Sequence, residues 1–259
     1  MHPIVADVEK SRKLREEGKL PEARKLLADD IRIYPHAPQM DAARELLGEI
    51  DTQLFFSNES LYGKTEYIVQ HGDSLARIAQ KLKSTPGMIM RANNLDSTMI
   101  RPGERLLVPD TEFTLTVDLP KERLVVEHDG VFFKQYPIQS DDLPKSSQPE
   151  VITKVTDTTF WKDGKRVLPK GAALDDATPW VNLQRPGCTL YGVSGESATN
   201  SGPGRGRQHD VSGANAPKDG APPNADLPPH GIALLKDDLA ELQLLLSRGT
   251  PVTIIHQHK

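Results

Sequence analysis

The sequence predicts an α+β multidomain fold, and three shifts of periodicity along its 259 residues are the reason. Apolar residues recur at helical spacing as far as residue 57; residues 65–110 carry a strand, helix, helix, strand order; from Phe113 apolar and polar residues alternate with period two. Composition permits this, since 26% charged and 37% hydrophobic residues are ordinary for a soluble chain and the length suffices for several cores. A formal charge of −4 gives no basic field, so no nucleic-acid partner is expected. The single cysteine, Cys188, excludes an internal disulfide and a multi-cysteine zinc site. No apolar run approaches the ~20 residues that cross a bilayer, so no transmembrane segment is expected. The opening "MHPIVADVEKSRK" lacks the basic-then-apolar order of a secretion signal, which leaves a cytoplasmic protein or an exported one with its leader removed.

Residues 1–62 read as a helical spacer. Ala23, Leu26, Leu27 and Ile31, then Ala43, Leu46, Leu47, Ile50 and Leu54, fall at helical spacing, and Gly18 and residues 34–38 punctuate them into two or three antiparallel helices. The pattern "EEGKLPEARKLL…P" resembles a tetratricopeptide helix pair. Only one unit is present, and an array needs about three. A docking or spacer hairpin is therefore expected, with a peptide-binding groove as the alternative.

In residues 65–110, Tyr67 to Val69 starts a strand and Asp73 stands where an N-cap would accept the free amides of a new helix. Leu75, Ile78, Ala79 and Leu82 then form one buried helical face. A second helix opens at Ser84-Thr85-Pro86 and ends at Asn93-Asn94. Arg101-Pro102-Gly103 turns the chain, and Leu106 to Val108 returns as a strand. With Gly72-Asp73-Ser74-Leu75, Asn93, Asn94, Ile100, Pro102, Gly103 and Pro109 all in order, the segment resembles a LysM domain along its whole length. The resemblance implies binding of N-acetylated sugars, as in peptidoglycan or chitin. It also implies a shallow groove lined by Gly72, Asp73, Ser74 and Leu75 on one side and by Met99, Ile100, Arg101 and Pro102 on the other. Exposed backbone groups there suit acetamido groups, and apolar side chains suit methyl and ring faces.

From residue 112 the chain reads as a mostly-β domain with one good helix. "FTLTVDLPKERLVVEHDGVFFKQYPI" is a β-meander of two or three strands, turned at residues 118–123 and 128–130. Further strands are expected at 151–155, 180–183, 189–193 and 251–256. The helix carries Leu235, Leu239, Leu242 and Leu246 on one face, Asp237 and Asp238 in its first turn, Arg248 in its last and Gly249 as its stop.

The phrases "TVDLPKERLVVEHDGVFFKQYPI", "WVNLQRPGCTLYGVSGE" and "LLKDDLAELQLLLSRGTPVTI" resemble the L,D-transpeptidase catalytic domain over about residues 113–256. The family crosslinks peptidoglycan stem peptides through a cysteine acyl-enzyme. A thiolate, an activating histidine and an oxyanion hole come from a Tyr-Gly-Ile-His-Gly segment and a Ser-His-Gly-Cys-x-Arg segment. Here Tyr191-Gly192-Val193-Ser194-Gly195 puts Ser194 where that histidine belongs. Counting back from Gly249-Thr250-Pro251 puts Gly231 at the nucleophile and Ala233 at the arginine; a one-residue gap keeps His230-Gly231 in register and deletes the cysteine. The family's Thr-Pro-Thr-Gly is replaced by "SSQPE" at residues 146–150. Ser194, His230 and Gly231 are thus degenerate catalytic positions, no catalytic residue is assigned, and the resemblance implies a pseudoenzyme.

A displaced nucleophile is the alternative. Cys188 with His209 or His230 as base would need the insert to fold over it, and an isolated cysteine is more often a small buried apolar residue. "GVSGE" is one glycine short of the serine nucleophile elbow, which needs a strand-to-helix turn. The insert, residues 195–229, is about one-third glycine plus proline and has no aromatic residue, so it is expected to be flexible. Its "GPGRGRQH" could contact acidic glycan groups, although a solvated loop is the simpler reading. His256 and His258, even with His209 or His230, lack a carboxylate cluster, so neither metal nor cofactor is expected.

These readings combine into a periplasmic or cell-wall-associated protein whose partner is peptidoglycan, an N-acetylglucosamine-containing glycan. The degenerate domain would keep a stem-peptide cleft as a docking surface. The alternatives are an active transpeptidase or hydrolase, and a structural adaptor whose N-terminal helices recruit a protein partner to the wall.

Overall fold

Three helices form the first layer: α1 (Pro3–Glu16), α2 (Leu20–Ile33) and α3 (Met40–Phe55). In this computed structural model the described residues are 3–34, 37, 40–58, 60–110, 112–143, 146–167, 177–185, 187–194, 228 and 230–257. Gly18, at φ +76°, makes the turn between α1 and α2, and Pro21 sits in the first turn of α2, where no amide donor is needed. Ile4, Val8, Ala23, Leu27, Ala43, Leu47 and Ile50 share one buried cluster, so the helical spacing converts directly into packing.

The second unit is β1 (Lys64–Ile68), α4 (Leu75–Lys81), α5 (Pro86–Ala92) and β2 (Arg105–Pro109), with β1 and β2 antiparallel. Val69, Leu75, Ile78, Ala79, Ile89, Leu106 and Val108 fill its core. Thr85 caps α5, accepting the Met88 amide at 3.2 Å. The expected cap of α4 is corrected by one residue. Ser74 accepts the Arg77 amide at 3.3 Å, while Asp73 accepts the Gln70 amide at 2.8 Å and closes the preceding turn. Both side chains are cap formers, and the cap falls to whichever one the turn leaves extended.

The third unit has β3 (Phe113–Asp118), β4 (Arg123–His128), β5 (Val131–Pro137), β6 (Ser140–Asp141), β7 (Glu150–Lys162), β8 (Lys165–Val167), β9 (Thr178–Leu183), β10 (Thr189–Val193), β11 (Ile232–Leu235), α6 (Lys236–Leu245) and β12 (Pro251–Ile255). Among the described residues its ten strands form one sheet in the order β5-β4-β3-β12-β7-β9-β10-β11-β6, with β8 paired to β7. The meander has three strands, and Asp129-Gly130, both at positive φ, makes the tight turn between β4 and β5. The C-terminal helix is shorter than its leucine spacing predicts: Leu235 ends β11 and Leu246 follows α6 in an extended conformation. Short apolar runs do not distinguish a buried strand from a helix, and "IALL" pairs in parallel with β10. Leu239, Leu242 and Leu245 of α6 join Val181, Leu190 and Leu234 in the core.

Phe55 of α3 and Met88 of α5 also enter this sheet core. Phe55 meets Phe113 and Phe133 edge-on, at centroid distances of 5.3 and 5.6 Å. Around that contact, Lys64 Nζ donates to the carbonyls of Leu54, Phe55 and Ser57 at the end of α3, and His128 pairs with Asp110. Arg24 donates to Asp51 at 2.6 Å and to the Tyr62 hydroxyl at 2.9 Å. The three units are therefore joined through a shared apolar and ionic root.

Two expected results follow from Asp51, whose side chain is fully buried. Arg24→Ala leaves the Asp51 carboxyl without its buried partner, the group then takes up a proton, and the loss is expected to be about 1–3 kcal/mol in urea unfolding near neutral pH. Burial pushes the Asp51 carboxyl up to about 7 against the pull of Arg24. The unfolded chain releases this proton near 3.8 and the folded chain near 7, so the group's contribution to stability falls as pH rises between those values. The stability difference between the wild type and Asp51→Asn should decline across that window and level off above it.

Candidate functional site

The two sequence-predicted sides of the glycan groove leave the small sheet next to each other. Val69 donates to the Glu104 carbonyl at 2.9 Å, and Gly103 donates to the Val69 carbonyl at 2.8 Å. Gly72 and Gly103, at φ +85° and +86°, turn the two loops where other residues would be strained. Asp73 is held by the Gln70 amide and by the Tyr67 hydroxyl at 2.9 Å, which keep its carboxyl below the usual range. Arg77 reaches back to the Gly72 carbonyl at 2.7 Å, so this loop is braced from its own helix. On the other side the Arg101 amide donates to the Glu104 carboxylate at 3.0 Å.

Roles within the predicted set differ. Leu75 is buried in the core of the unit, and Ile100 packs against it from a partly buried position. Met99 is 80% exposed, a position where a methionine can only be solvated or cover a ligand. Met99 and Arg101 line a shallow depression of about 540 Å³ together with Ser97 and Glu104. Gly72–Leu75 stand outside that lining. Ser97 and Glu104 are additions the motif did not single out; the turn at Pro102-Gly103, which folds Glu104 back on Arg101, is the signal that could have found the second.

In the large sheet, β10 and β11 place Ser194 and Gly231, the two positions that the sequence comparison singled out. Leu190 pairs with Ile232 and Val193 with Leu235, so Gly231 lies level with Thr189, whereas Ser194 follows the far end of β10. At about 3.3 Å per residue, that separates them by roughly 16 Å along the strand. A Cβ at Gly231 would overlap the Thr189 carbonyl oxygen and come within 3.0 Å of the Tyr191 ring. His230 is exposed, with Nδ1 3.4 Å from an Asp142 carboxylate oxygen, and Ser194 is exposed. Cys188 is 4% exposed in the core beside Leu190, and burial pushes its thiol up, away from the reactive thiolate. His209, His258 and the insert except Pro228 lie outside the described residues. Among the described residues, no three His, Cys, Asp or Glu side chains are grouped to hold a metal ion, and no helix is long and apolar enough to cross a membrane.

Residues 67–109 match the LysM domain family. Over 56 residues, 22% of its length, the chain is 39% identical to oxidation resistance protein 1 of Xenopus laevis and to that of Xenopus tropicalis, and it spans 6% of those relatives. The structure is similar to L,D-transpeptidases. That of Stackebrandtia nassauensis matches at TM-score 0.33 and 19% identity over 57% of each chain. The Mycobacterium smegmatis enzyme matches at 0.33 and 14%, over 59% of this chain and 63% of its own. A C442S mutant of the Enterococcus faecium enzyme matches at 0.31 and 12%, over 85% and 90%.

Proposed function

We propose that this chain binds peptidoglycan in the bacterial cell envelope through its LysM domain and performs no acyl transfer. The observation that carries the reading is the family match at residues 67–109, on a unit whose two predicted loops are tied through Val69, Gly103 and Glu104. LysM domains bind N-acetylglucosamine-containing glycans. Loop backbone groups at Gly72–Ser74 would meet acetamido groups, and Met99 would cover a sugar face.

The absence of acyl transfer is supported by three features of the C-terminal unit. The aligned nucleophile position is Gly231, where a side chain has no room; the aligned histidine position is Ser194, far along the strand; and the single cysteine is buried with a raised thiol pKa. A thiol nucleophile needs an imidazole within hydrogen-bond reach, and neither condition is met at those positions. The test is sedimentation with purified sacculi. The full chain should co-sediment, soluble N-acetylglucosamine oligomers should compete, and no retention above an unrelated protein would end the proposal. A fluorophosphonate or iodoacetamide probe in the same sample should leave Ser194 and Cys188 unlabelled in the folded protein.

A further inference from the structure

A cavity of about 800 Å³ opens where α3, β5 and the start of α6 meet. Asp41, Glu45 and Glu49 of α3 face it at i, i+4 and i+8, with Asp238 of α6; Lys121 and Arg123 stand on the other wall. Carboxylates outnumber cations in this lining; Lys134 is already bound to Glu241, Glu49 to Arg15, and Asp41 lies 3.6 Å from Arg44 and 3.8 Å from Arg123, so Glu45 and Asp238 are the carboxylates that remain for a ligand. Two buried polar atoms of lining residues have no hydrogen-bond partner: Arg123 Nε and Gln135 Oε1. The Asp118 oxygen facing Arg123 Nε is 3.8 Å away, beyond hydrogen-bond reach. A donor and an acceptor left unmet at one cavity, on the half-buried Arg123 and Gln135 side chains, are groups that water or a ligand carrying both complementary groups would satisfy.

The main chain points the same way. Strand β5 ends the sheet, with β4 as its strand neighbour. Ile138 donates to the Glu122 carbonyl at 2.8 Å, which makes 122 and 138, then 124 and 136, the hydrogen-bonded pairs of this antiparallel ladder. By alternation, the amide and carbonyl of Gln135 face away from β4. Helix α3 covers the neighbouring stretch so closely that a Cβ on Gly48 would come within 2.8 Å of the Lys134 side chain. Residues 135–137 are left at the cavity.

We propose that this cavity docks an extended, lysine-bearing peptide segment of a partner protein, added along β5 at Gln135. The peptide backbone meets the Gln135 main chain, as in other strand additions. A second carbonyl accepts from Arg123 Nε, a second amide donates to Gln135 Oε1, and the lysine ammonium faces Glu45 and Asp238. The site shares no residue with the glycan groove, so it stands or falls independently of peptidoglycan binding.

The test is calorimetric titration of the full chain with acetylated, amidated Ala-Lys-Ala-Lys-Ala, and with the matching Ala-Glu-Ala-Glu-Ala peptide. The lysine peptide should bind saturably, and the glutamate peptide at least tenfold more weakly. Gln135→Leu and the exposed Glu45→Lys should each weaken lysine-peptide binding at least tenfold, with unchanged circular dichroism and sacculus binding. If Gln135→Leu misfolds, Glu45→Lys carries the test. No saturable binding, equal binding of both peptides, or binding indifferent to a folded variant overturns the proposal.

Discussion

Gly231→Cys is expected to lower stability by about 3 kcal/mol, the upper end for atoms forced into a packed site, and to create no transpeptidation. The new Cβ meets the Thr189 carbonyl, a backbone atom of a central strand that cannot rotate away as a side-chain tip would. Adding Ser194→His should not help, because imidazole and thiol would stand at opposite ends of the β10–β11 pairing. Denaturant unfolding reads the first effect and muropeptide chromatography the second. Crosslinked products from the double variant would mean that the two positions meet in solution and that only two side chains separate this chain from an enzyme.

Met99→Asp is expected to reduce retention on sacculi at least tenfold with no loss of fold. The side chain is 80% exposed, so stability has little reason to change, while a carboxylate replaces an apolar cover at the depression it shares with Ser97, Arg101 and Glu104. A matched thermal midpoint with lost retention would assign binding to this loop. Unchanged retention would move the glycan contact to Gly72–Ser74 or away from the unit altogether.

The parts of the fold that were legible in the sequence are those where one local rule acts alone. Helical spacing placed α2 and α3, hydroxyl caps and Pro86 placed α5, and Asp129-Gly130 placed the β4–β5 turn, because each signal concerns residues within a turn or two of one another. Strand β11 was hidden because "IALL" is equally apolar on every side and becomes a strand only by pairing with β10, some forty residues earlier in the sequence. Ser74 rather than Asp73 caps α4 because both can cap and Asp73 is held instead by the Gln70 amide and the Tyr67 hydroxyl of the preceding turn and strand. Phe55 reads in sequence as one more helical core position. Its insertion among Phe113, Phe133 and His128 depends on where the sheet lies, which no local pattern encodes.

The candidate site divides the same way. Motif order singled out two loops, which the structure brings next to each other, whereas Glu104 acquires its place from a turn that brings it back to the Arg101 amide. Motif alignment singled out Gly231 and Ser194 as the positions where the resemblance would expect catalytic side chains. That Gly231 has no space for a side chain comes from the parallel register of two strands and was not readable from either segment alone.

Incubating the full chain with tetrapeptide-rich sacculi, then recording the intact mass of the bound protein and the muropeptides of the wall, tests the central claim most directly. Binding without chemistry predicts that the protein sediments with the wall, keeps its unmodified mass and leaves the crosslink pattern unchanged. A peptidyl adduct on Cys188 or Ser194, or new crosslinks that depend on the protein, would contradict it.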